Sequence, residues 1–393
     1  MKTRKILSIL IIALLFIGCS SDSPTSGGVT VGGPTGDSDG GGDDGGDDGD
    51  SGDDGGDSTT QYLLDFADYP IGNIVSASKL ASSSTDNTTF KEILTNEYNS
   101  ITAENDMKPN NMFLGPNPDD YDWSDGDDIV AYAKANGFRV HGHVLAWHSQ
   151  QPGWFNSFSG TDEEFETAVM DYITATVAHF AEEKDSNGNS IVASWDVYNE
   201  AFETDAQTNV LMTKIDDVIA KCFLAARAGD PDVKLFYNDF NVAGDVDKRN
   251  NILAMVADFQ TRNIPIDGIG MQMHLNHNWP TDDLPLAIEQ IADTGLLVHA
   301  SELDVKANYG NDVTTLTAAR AQEQADQFQR ASYYYTTIVP SAQQYGITIW
   351  GFRDSDSWLY DNGGDWPLLY DNNFNTKTAY DSFIEGLKGN PVN

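Results

Sequence analysis

The sequence has 393 residues, 40% of them hydrophobic, which is enough to bury one large core or two ordinary ones. Its formal net charge of −39 repels nucleic acid and anionic membrane surfaces, so neither is an expected partner of the folded surface. A neutral substrate is compatible with this charge, and an acidic surface that maintains solubility explains it without any specific electrostatic role.

The N-terminal residues have the layout of a secretory signal. The basic leader MKTRK precedes the apolar stretch ILSILIIALLF, and Gly18 stands directly before Cys19. This junction resembles the lipobox of bacterial lipoproteins, which implies removal of residues 1–18, lipidation of Cys19 and anchoring to a membrane. A transmembrane anchor is the alternative, but the apolar run is shorter than a comfortable span. We expect an exported lipoprotein, on the cell surface or facing the periplasm.

Residues 19–60 form the next region, and their composition predicts a disordered, flexible tether. Positions 20–60 contain 14 Gly and 11 Asp and no Lys, Arg or aromatic residue. Such a segment buries too little apolar surface to fold, and its charges repel one another. The run DSDGGGDDGGDDGDSGDD also resembles Asp/Gly-rich calcium loops, but its period is irregular and no strand residues alternate with it.

From Gln61 onward, short apolar runs rich in β-branched and aromatic residues alternate with longer helical patterns. The predicted strands cover residues 71–78, 100–105, 138–147, 194–200, 234–240, 266–274, 296–304 and 346–352. Helical patterns include residues 162–184, with an N-cap in TDEE at 161–164, and residues 318–339. This alternation predicts an α/β fold, a (β/α)8 TIM barrel, over residues 61–393. A doubly wound sheet is the alternative, but no Gly-rich dinucleotide loop follows the first strand.

The carboxyl ends of the predicted strands carry unusual polar residues. In a (β/α)8 barrel these ends carry the chemistry, and here they read AEND, GHVLAWH, NE, YND, QMH, SELD and WG. Turns and helix caps need Gly, Ser, Asp and Asn, but they do not need Glu, His, Gln and Trp at nearly every strand. The combined pattern therefore predicts a polar site at the barrel mouth.

Two carboxylates, Glu200 and Glu302, stand out among these residues. Two carboxyl groups that flank the scissile bond are the usual catalytic groups for glycosidic cleavage, and one of them is protonated while the other is ionised. Asp304 shares a strand face with Glu302, so a pair formed with His274 could keep Glu302 ionised, as a nucleophile requires. Glu200 follows Asn199 in an aromatic setting, where burial should raise its pKa and suit a general acid. Asn199 could then bind a sugar 2-hydroxyl.

The sequence contains no recognisable metal or nucleotide motif. His141, His143 and His148 lie close together, but there is no HExxH motif, Cys cluster, P-loop or GxSxG elbow. The DGGD-like loop at 361–365 is interpreted as a turn. Cys222, in the apolar run VIAKCFLAARA, is interpreted as a buried, inert thiol. We expect no metal and no cofactor.

The motifs and their order resemble the glycoside hydrolase family 10 endo-β-1,4-xylanases. The matching blocks run from about residue 70 to 385 and read ITAENDMKPN, VHGHVLAWHSQQPGW, WDVYNEAF, FYNDFN, IGMQMHL, SELDV and ITIWGFRDSDSW. The first strand block, IGNIVSAS, matches weakly. FRDSDS after Gly351 occupies a stretch in which family members vary, so the local sugar contacts stay open.

The resemblance implies a retaining double displacement on xylan and xylo-oligosaccharides by a monomer, with Glu302 as nucleophile and Glu200 as acid/base. It places the two carboxyl groups ~5–5.5 Å apart. Asp304 matches the acid that orients His274. The positions that match sugar-binding residues are Glu104, Asn105 and Lys108 on the non-reducing side, His143, Trp147, Asn199, Gln272 and His274 around the sugar being cleaved, and Trp350 and Trp358 as its roof.

Two other functions compete with this interpretation. A retaining β-1,4-glucanase or mixed-specificity enzyme would have the same fold, and crowding near Trp350 and Trp358 should decide whether the C6 hydroxymethyl of glucose is accepted. A non-catalytic glycan-binding lipoprotein is the alternative from another class. The presence of both Glu200 and Glu302 argues against it, because binding alone needs no such pair.

Overall fold

Eight parallel strands close into a barrel in the computed structural model, which describes residues 61–392. The ten strands of this range, β1 to β10 in chain order, are Ile71–Val75, Ser100–Ala103, Arg139–Gly142, Ala146–Trp147, Val192–Asn199, Lys234–Asp239, Gly268–Met271, His274–Asn276, Leu297–Lys306 and Gln344–Ile349. The barrel order is β1–β2–β3–β5–β6–β7–β9–β10, and β10 pairs with β1 to close it. The short strands β4 and β8 pair with the carboxyl ends of β5 and β9. The predicted (β/α)8 barrel is confirmed.

Helices follow the strands and surround the barrel, as parallel crossover connections require. Over the described part of the chain they are, as α1 to α12, Ala77–Ala81, Thr85–Glu97, Pro109–Met112, Ser124–Asn136, Asp162–Ala181, Thr204–Thr208, Val210–Lys214, Val218–Gly229, Val246–Arg262, Asp283–Ala292, Ala318–Ile338 and Thr378–Leu387. None of the helices between residues 61 and 392 has the length and apolar character to cross a membrane. The predicted signal peptide, Cys19 and the tether to residue 60 lie outside the described residues.

The helix that the sequence predicts at 162–184 is α5, and its start has the predicted cap. Thr161 Oγ1 accepts from the backbone N–H of Glu164, and the Glu164 carboxylate accepts from the Thr161 N–H at 2.7 Å. This reciprocal capping box satisfies two donors that a helix start leaves free. The helix ends at Ala181, three residues before the predicted end, and α11 similarly reproduces the predicted helix at 318–339 within one residue.

Two predicted strands are interrupted where they reach the barrel mouth. The prediction at 138–147 becomes β3 and β4, and the prediction at 266–274 becomes β7 and β8. Met273 has a left-handed backbone (φ 61°), which no continuous strand can contain. The first strand ends earlier than predicted, because the Ser76 hydroxyl accepts from the Lys79 N–H and starts α1. These departures come from local backbone turns that apolar patterning does not show.

A layer of aromatic and imidazole rings fills the barrel below its mouth. His141, Phe236, His299 and Tyr345 come from β3, β6, β9 and β10, and every pair of these rings has centroids 4.6 to 6.1 Å apart. Strands on different sides of the barrel therefore meet in one packed layer, which is the floor of the site. Outside the barrel, Cys222 is fully buried in α8, and burial raises the pKa of its thiol.

We expect Gly268→Ala to lower the free energy of unfolding by about 1–3 kcal/mol, because overpacking forces neighbours to move. A Cβ at Gly268 would lie 2.1 Å from a Phe236 ring carbon and would push that ring out of the layer. Urea denaturation followed by Trp fluorescence measures the difference. Gly153→Ala is the control, since a Cβ there meets no atom of the described residues within 4 Å. Equal midpoints for both variants would contradict this packing.

Candidate active site

The two glutamates singled out in the sequence stand at the same end of the barrel. Strand β5 ends at Asn199, and Glu200 follows it with a left-handed backbone (φ 57°). The Glu200 N–H donates to the Asn238 carbonyl at 3.0 Å, and the Glu302 N–H donates to the Gln272 carbonyl at 2.9 Å. Backbone bonds to neighbouring strands therefore hold both residues at the mouth.

Glu302 is nearly fully buried, with 5% of its surface exposed, and two donors hold its carboxylate. Asn238 Nδ2 donates to Oε1 at 2.7 Å, and His274 Nε2 donates to Oε2 at 3.2 Å. Burial by itself would raise the pKa of Glu302, but the hydrogen bond from His274, the charges of His143 and His274, and the hydrogen bond from Asn238 together hold this pKa below its usual value. Glu302 is therefore ionised near neutral pH, which a carboxylate nucleophile requires.

His274 is held between Glu302 and Asp304. Strand β8 pairs with β9 so that His274 stands beside Asp304, and its Nδ1 lies 3.0 Å from Asp304 Oδ2. Burial lowers the pKa of His274, yet the two carboxylates raise it to about 10, so the imidazolium donates from Nε2 to Glu302 and forms an ion pair with Asp304. Trp358 Nε1 also donates to Asp304 Oδ2, at 3.0 Å. The structure thus brings Asp304 behind His274, as the sequence predicts.

Glu200 has neutral donors and the opposite pKa shift. Trp147 Nε1 donates to Oε2 at 2.8 Å, and Gln272 Nε2 donates to Oε1 at 2.9 Å. Burial raises the pKa of Glu200, and the negative charge of Glu302 raises it further, against the smaller effects of these two hydrogen bonds. The site therefore contains one carboxyl group that favours its proton and one that has lost it.

A continuous hydrogen-bond chain joins the two carboxyl groups. Gln272 Nε2 donates to Glu200 Oε1 and, at 3.3 Å, to Asn199 Oδ1. Asn238 Nδ2 donates to the same Asn199 oxygen at 3.0 Å and to Glu302 Oε1 at 2.7 Å. Because the Asn199 oxygen accepts both bonds, its amide nitrogen is left to donate to a ligand. The distance between the carboxyl groups of Glu200 and Glu302, which is ~5–5.5 Å in a retaining enzyme, stays a prediction.

Asn238 is a site residue that sequence reasoning missed. It is fully buried on β6, and its Oδ1 accepts from Ser301 Oγ at 2.6 Å, so both N–H groups point away to Asn199 and Glu302. Gly270 on β7 makes room for it, since a Cβ at Gly270 would lie 2.2 Å from Asn238 Oδ1. The sequence signal for Asn238 was an amide side chain within the largely apolar run KLFYNDF, where packing alone does not require a polar residue.

The residues predicted to bind sugar on the non-reducing side also gather at the mouth. Lys108 Nζ donates to Asn105 Oδ1 at 3.0 Å and to Gln150 Oε1 at 2.8 Å, and it lies 5.3 Å from the centre of the Trp147 ring. Burial raises the pKa of Glu104 and lowers that of Lys108. Gln150, which the sequence did not single out, joins this cluster because the loop after β4 carries it there.

Imidazole and indole rings line the rest of the cavity. The His143 ring lies 5.5 Å from Trp350 and 6.4 Å from Trp147, and its Nδ1 lies 2.9 Å from Asp196 Oδ2. The His274 ring lies 6.5 Å from Trp350 and 5.1 Å from Trp358. Trp350 is buried, whereas Trp358 is 62% exposed, as a side chain that covers a bound chain would be. Aromatic faces of this kind suit the apolar faces of sugars.

The acidic and imidazole groups of the described chain are arranged as ion pairs and turns. Across residues 61–392, no group of three or more His, Cys, Asp or Glu is placed to hold a metal ion. His141 Nε2 and His143 Nδ1 share one oxygen of Asp196, at 3.0 and 2.9 Å. In the loop 361–365, the Gly363 N–H donates to the Tyr360 carbonyl and the Gly364 N–H donates to the Asp361 carbonyl, each at 3.0 Å, so the loop is a turn.

A (β/α)8 barrel with two carboxyl groups of oppositely shifted pKa at its mouth is the arrangement of a two-carboxylate glycoside hydrolase. The chain belongs to glycosyl hydrolase family 10, whose sequence profile matches residues 62–386.

Two curated relatives and a solved structure illustrate this membership. Endo-beta-1,4-xylanase Xyn10C of Cellvibrio japonicus is 34% identical over 370 residues, which cover 84% of this chain and 58% of the relative. Endo-1,4-beta-xylanase A of Cellvibrio japonicus (strain Ueda107) is 33% identical over 364 residues, which cover 84% and 57%. The chain therefore spans less than two thirds of either relative. A mutant of Xylanase10C from Cellvibrio japonicus in complex with xylopentaose superposes with a TM-score of 0.76 at 33% identity, covering 84% of this chain and 70% of that one.

We expect Asn238→Ala to move the acidic limb of the pH profile of glycoside hydrolysis to higher pH. The Asn238 amide stabilises the ionised form of Glu302, so its loss raises the pKa of Glu302, by about one unit for a charge-assisted hydrogen bond. Because hydrolysis needs Glu302 ionised, activity should then disappear at a higher pH as the solution is acidified. The measurement is kcat/KM as a function of pH.

The control for this prediction is Gln327→Ala, which removes a buried amide that donates to the Pro280 carbonyl at 2.9 Å, away from both glutamates. Its acidic limb should coincide with that of the wild type. An unchanged acidic limb in Asn238→Ala would show that the two histidines, His143 and His274, keep Glu302 ionised without the Asn238 amide.

Proposed function

We propose that this protein is an endo-acting β-1,4-xylanase that hydrolyses internal xylosidic bonds of xylan by a retaining double displacement. The observation that carries the proposal is the pair of opposite pKa shifts at Glu200 and Glu302, which are joined by one chain of hydrogen bonds. Retaining cleavage needs one proton donor and one ionised nucleophile at a single glycosidic bond.

In the first step, a Glu302 oxygen attacks the anomeric carbon, and the bond to the leaving oxygen breaks as Glu200 protonates that oxygen. The donors from Asn238 and His274 keep Glu302 ionised and aimed before the attack. Asn199 donates to the sugar 2-hydroxyl from its free amide nitrogen. The product is a glycosyl ester of Glu302 and a shortened xylan chain.

In the second step, Glu200 acts as a base. Once Glu302 is esterified it carries no negative charge, so the repulsion that raises the pKa of Glu200 is gone. The Glu200 carboxylate then removes a proton from water as the water oxygen attacks the anomeric carbon and Glu302 leaves. Two inversions at that carbon retain the β-configuration.

Xylan and xylo-oligosaccharides are the proposed substrates of a monomer that uses no cofactor. The support comes from the relatives' names, from the xylopentaose bound by the related mutant, and from the sugar-binding positions that lie around the two glutamates. A β-1,4-glucanase with the same machinery differs at the C6 hydroxymethyl group, and turnover of xylan against cellulose separates the two. Binding without catalysis would not need opposite pKa shifts at two carboxyl groups.

We expect Glu200→Ala to lose about 10²- to 10⁴-fold in rate on xylobiosides with poor leaving groups, which is the usual contribution of general acid catalysis. Substrates with good leaving groups should react nearly as before in the first step, because their departure needs no proton. Added azide should then replace water and release a β-xylobiosyl azide, identified by NMR. An α-azide would contradict retention.

Glu302→Ala is the matched control, because it removes the other carboxyl group of the pair. We expect no hydrolysis of any substrate and no azide product, whereas calorimetry should still detect xylo-oligosaccharide binding. Near-normal activity of this variant would overturn the mechanism.

We also propose that the protein is an exported lipoprotein, with residues 1–18 as its signal peptide, a lipid on Cys19 and residues 19–60 as a tether to the catalytic domain. The support is the sequence alone: a basic leader, an apolar stretch and a small residue before the cysteine. A lipid anchor would keep a hydrolase beside the cell that takes up its products.

We expect Cys19→Ala to move the protein from the membrane fraction to the soluble fraction, because the variant has no sulfur to lipidate. Cell fractionation with detergent phase separation is the measurement. A second variant that lacks residues 20–60 keeps Cys19, so it should stay with the membrane and keep its kcat. Membrane retention of Cys19→Ala would contradict lipidation.

A further inference from the structure

The backbone that presents Glu200 is unusual and must be held by its surroundings. Glu200 has a left-handed conformation (φ 57°), which side chains other than glycine adopt only at a cost. The next residue, Ala201, is fully buried, and side chains satisfy both of its backbone groups. Tyr237 Oη accepts from the Ala201 N–H at 2.9 Å, and Gln207 Nε2 donates to the Ala201 carbonyl at 2.6 Å.

The Tyr237 hydroxyl has its direction set by Asp239. It donates to Asp239 Oδ2 at 2.6 Å, so its only hydrogen is committed there and a lone pair faces the Ala201 N–H. Asp239 is fully buried, and Lys248 Nζ lies 3.0 Å from its other oxygen, Oδ1. The buried charge of Asp239 is therefore paired on one side and hydrogen-bonded on the other, as a buried carboxylate must be.

Lys248 also contacts the segment that follows Glu200. Its ammonium pairs with Glu203, three residues after Glu200, and lies 3.4 Å from the centre of the Phe240 ring. The backbone carbonyl of Asp239 accepts from the Gln272 N–H at 3.0 Å, and Gln272 is the residue whose side chain donates to Glu200. Asp239 thus supports both the segment that follows Glu200 and Gln272, the residue that donates a hydrogen bond to Glu200.

We propose that Tyr237, oriented by Asp239 and Lys248, is a positioning residue that fixes Glu200 for proton transfer to the leaving oxygen. The inference rests on the proposed function, and it assigns to these three residues a role in the acid step alone. A general acid works only within hydrogen-bond reach of its acceptor, so a loosened Glu200 loop slows reactions that need the proton. The attack by Glu302 does not depend on this loop.

The test is Tyr237→Phe, measured on two β-xylobiosides that differ only in leaving group. For both, kcat/KM reports formation of the glycosyl-enzyme. We expect kcat/KM for the phenyl substrate, which needs acid assistance, to fall about tenfold or more, a part of the usual contribution of a general acid. For the 2,4-dinitrophenyl substrate, which leaves unprotonated, the expected change is less than about twofold by the same reasoning.

Tyr335→Phe is the matched control. The buried Tyr335 hydroxyl also accepts a backbone N–H, from Gly346 at 2.8 Å, and donates at 2.7 Å to the Val298 carbonyl, but it lies in α11 on the outside of the barrel. Its removal should cost comparable stability and leave the ratio of the two kcat/KM values unchanged. A similar change in the ratio of the two kcat/KM values in the control would mean that the effect is general destabilisation, and it would overturn the proposal.

A second variant, Asp239→Asn, keeps the proposal falsifiable if Tyr237→Phe does not fold. The Asn amide has one acceptor oxygen for two donors, so the Tyr237 hydroxyl and the Lys248 ammonium compete for it and the hydroxyl is no longer held in one direction. The phenyl substrate should therefore again lose more kcat/KM than the dinitrophenyl substrate. Equal losses on both substrates, or no loss on either, overturn the positioning role. If the wild type hydrolyses neither xylobioside, the proposed function fails instead, which is a separate result.

Discussion

The two hydrogen bonds donated by the Asn238 amide are the interaction on which the site depends. One goes to the Glu302 carboxylate and the other to the side-chain oxygen of Asn199. That oxygen also accepts from Gln272, and Gln272 in turn donates to Glu200. A single buried amide therefore links two carboxyl groups whose pKa values are shifted in opposite directions. Its own oxygen is occupied by Ser301, so the amide cannot turn over, and the donor direction is fixed by the packing of β6 between β5 and β7.

The charge of one glutamate contributes to the state of the other. Glu302 keeps its charge because His274 stands between it and Asp304, and that charge helps to keep the proton on Glu200. The chain as a whole carries −39, yet the ionised state of Glu302 depends on a partly buried imidazolium and on hydrogen bonds of 2.7 and 3.2 Å. Near contacts in a poorly hydrated mouth outweigh distant surface charges that water screens.

The backbone at the mouth is as specific as the side chains. Strands supply the positions, but Glu200, directly after β5, and Met273, two residues after β7, both lie in left-handed conformations. These turns redirect the chain so that Glu200 and His274 face the cavity. Behind Glu200, the buried group of Tyr237, Asp239 and Lys248 holds the turn. Left-handed residues also occur at helix ends, such as Asp217 and Asn263, but Glu200 is one that carries a proposed catalytic group, as strained residues at functional sites often do.

The sequence by itself determined the barrel, the helix at Asp162–Ala181 with its cap, and the identity of Glu200 and Glu302, because periodicity and unusual residue types at strand ends are local signals. Only the tertiary structure decided that Asn238 joins the pair. That role depends on Gly270, which lacks a Cβ, lying on the neighbouring strand, and no local pattern records such a contact. The interruptions after Gly142 and Met271 were likewise visible only in the structure, because the apolar runs continue through them although the backbone turns, as at the left-handed Met273. The pKa shifts of Glu200 and Glu302 have opposite directions because these two glutamate side chains have different neighbours, which only the folded chain brings to them.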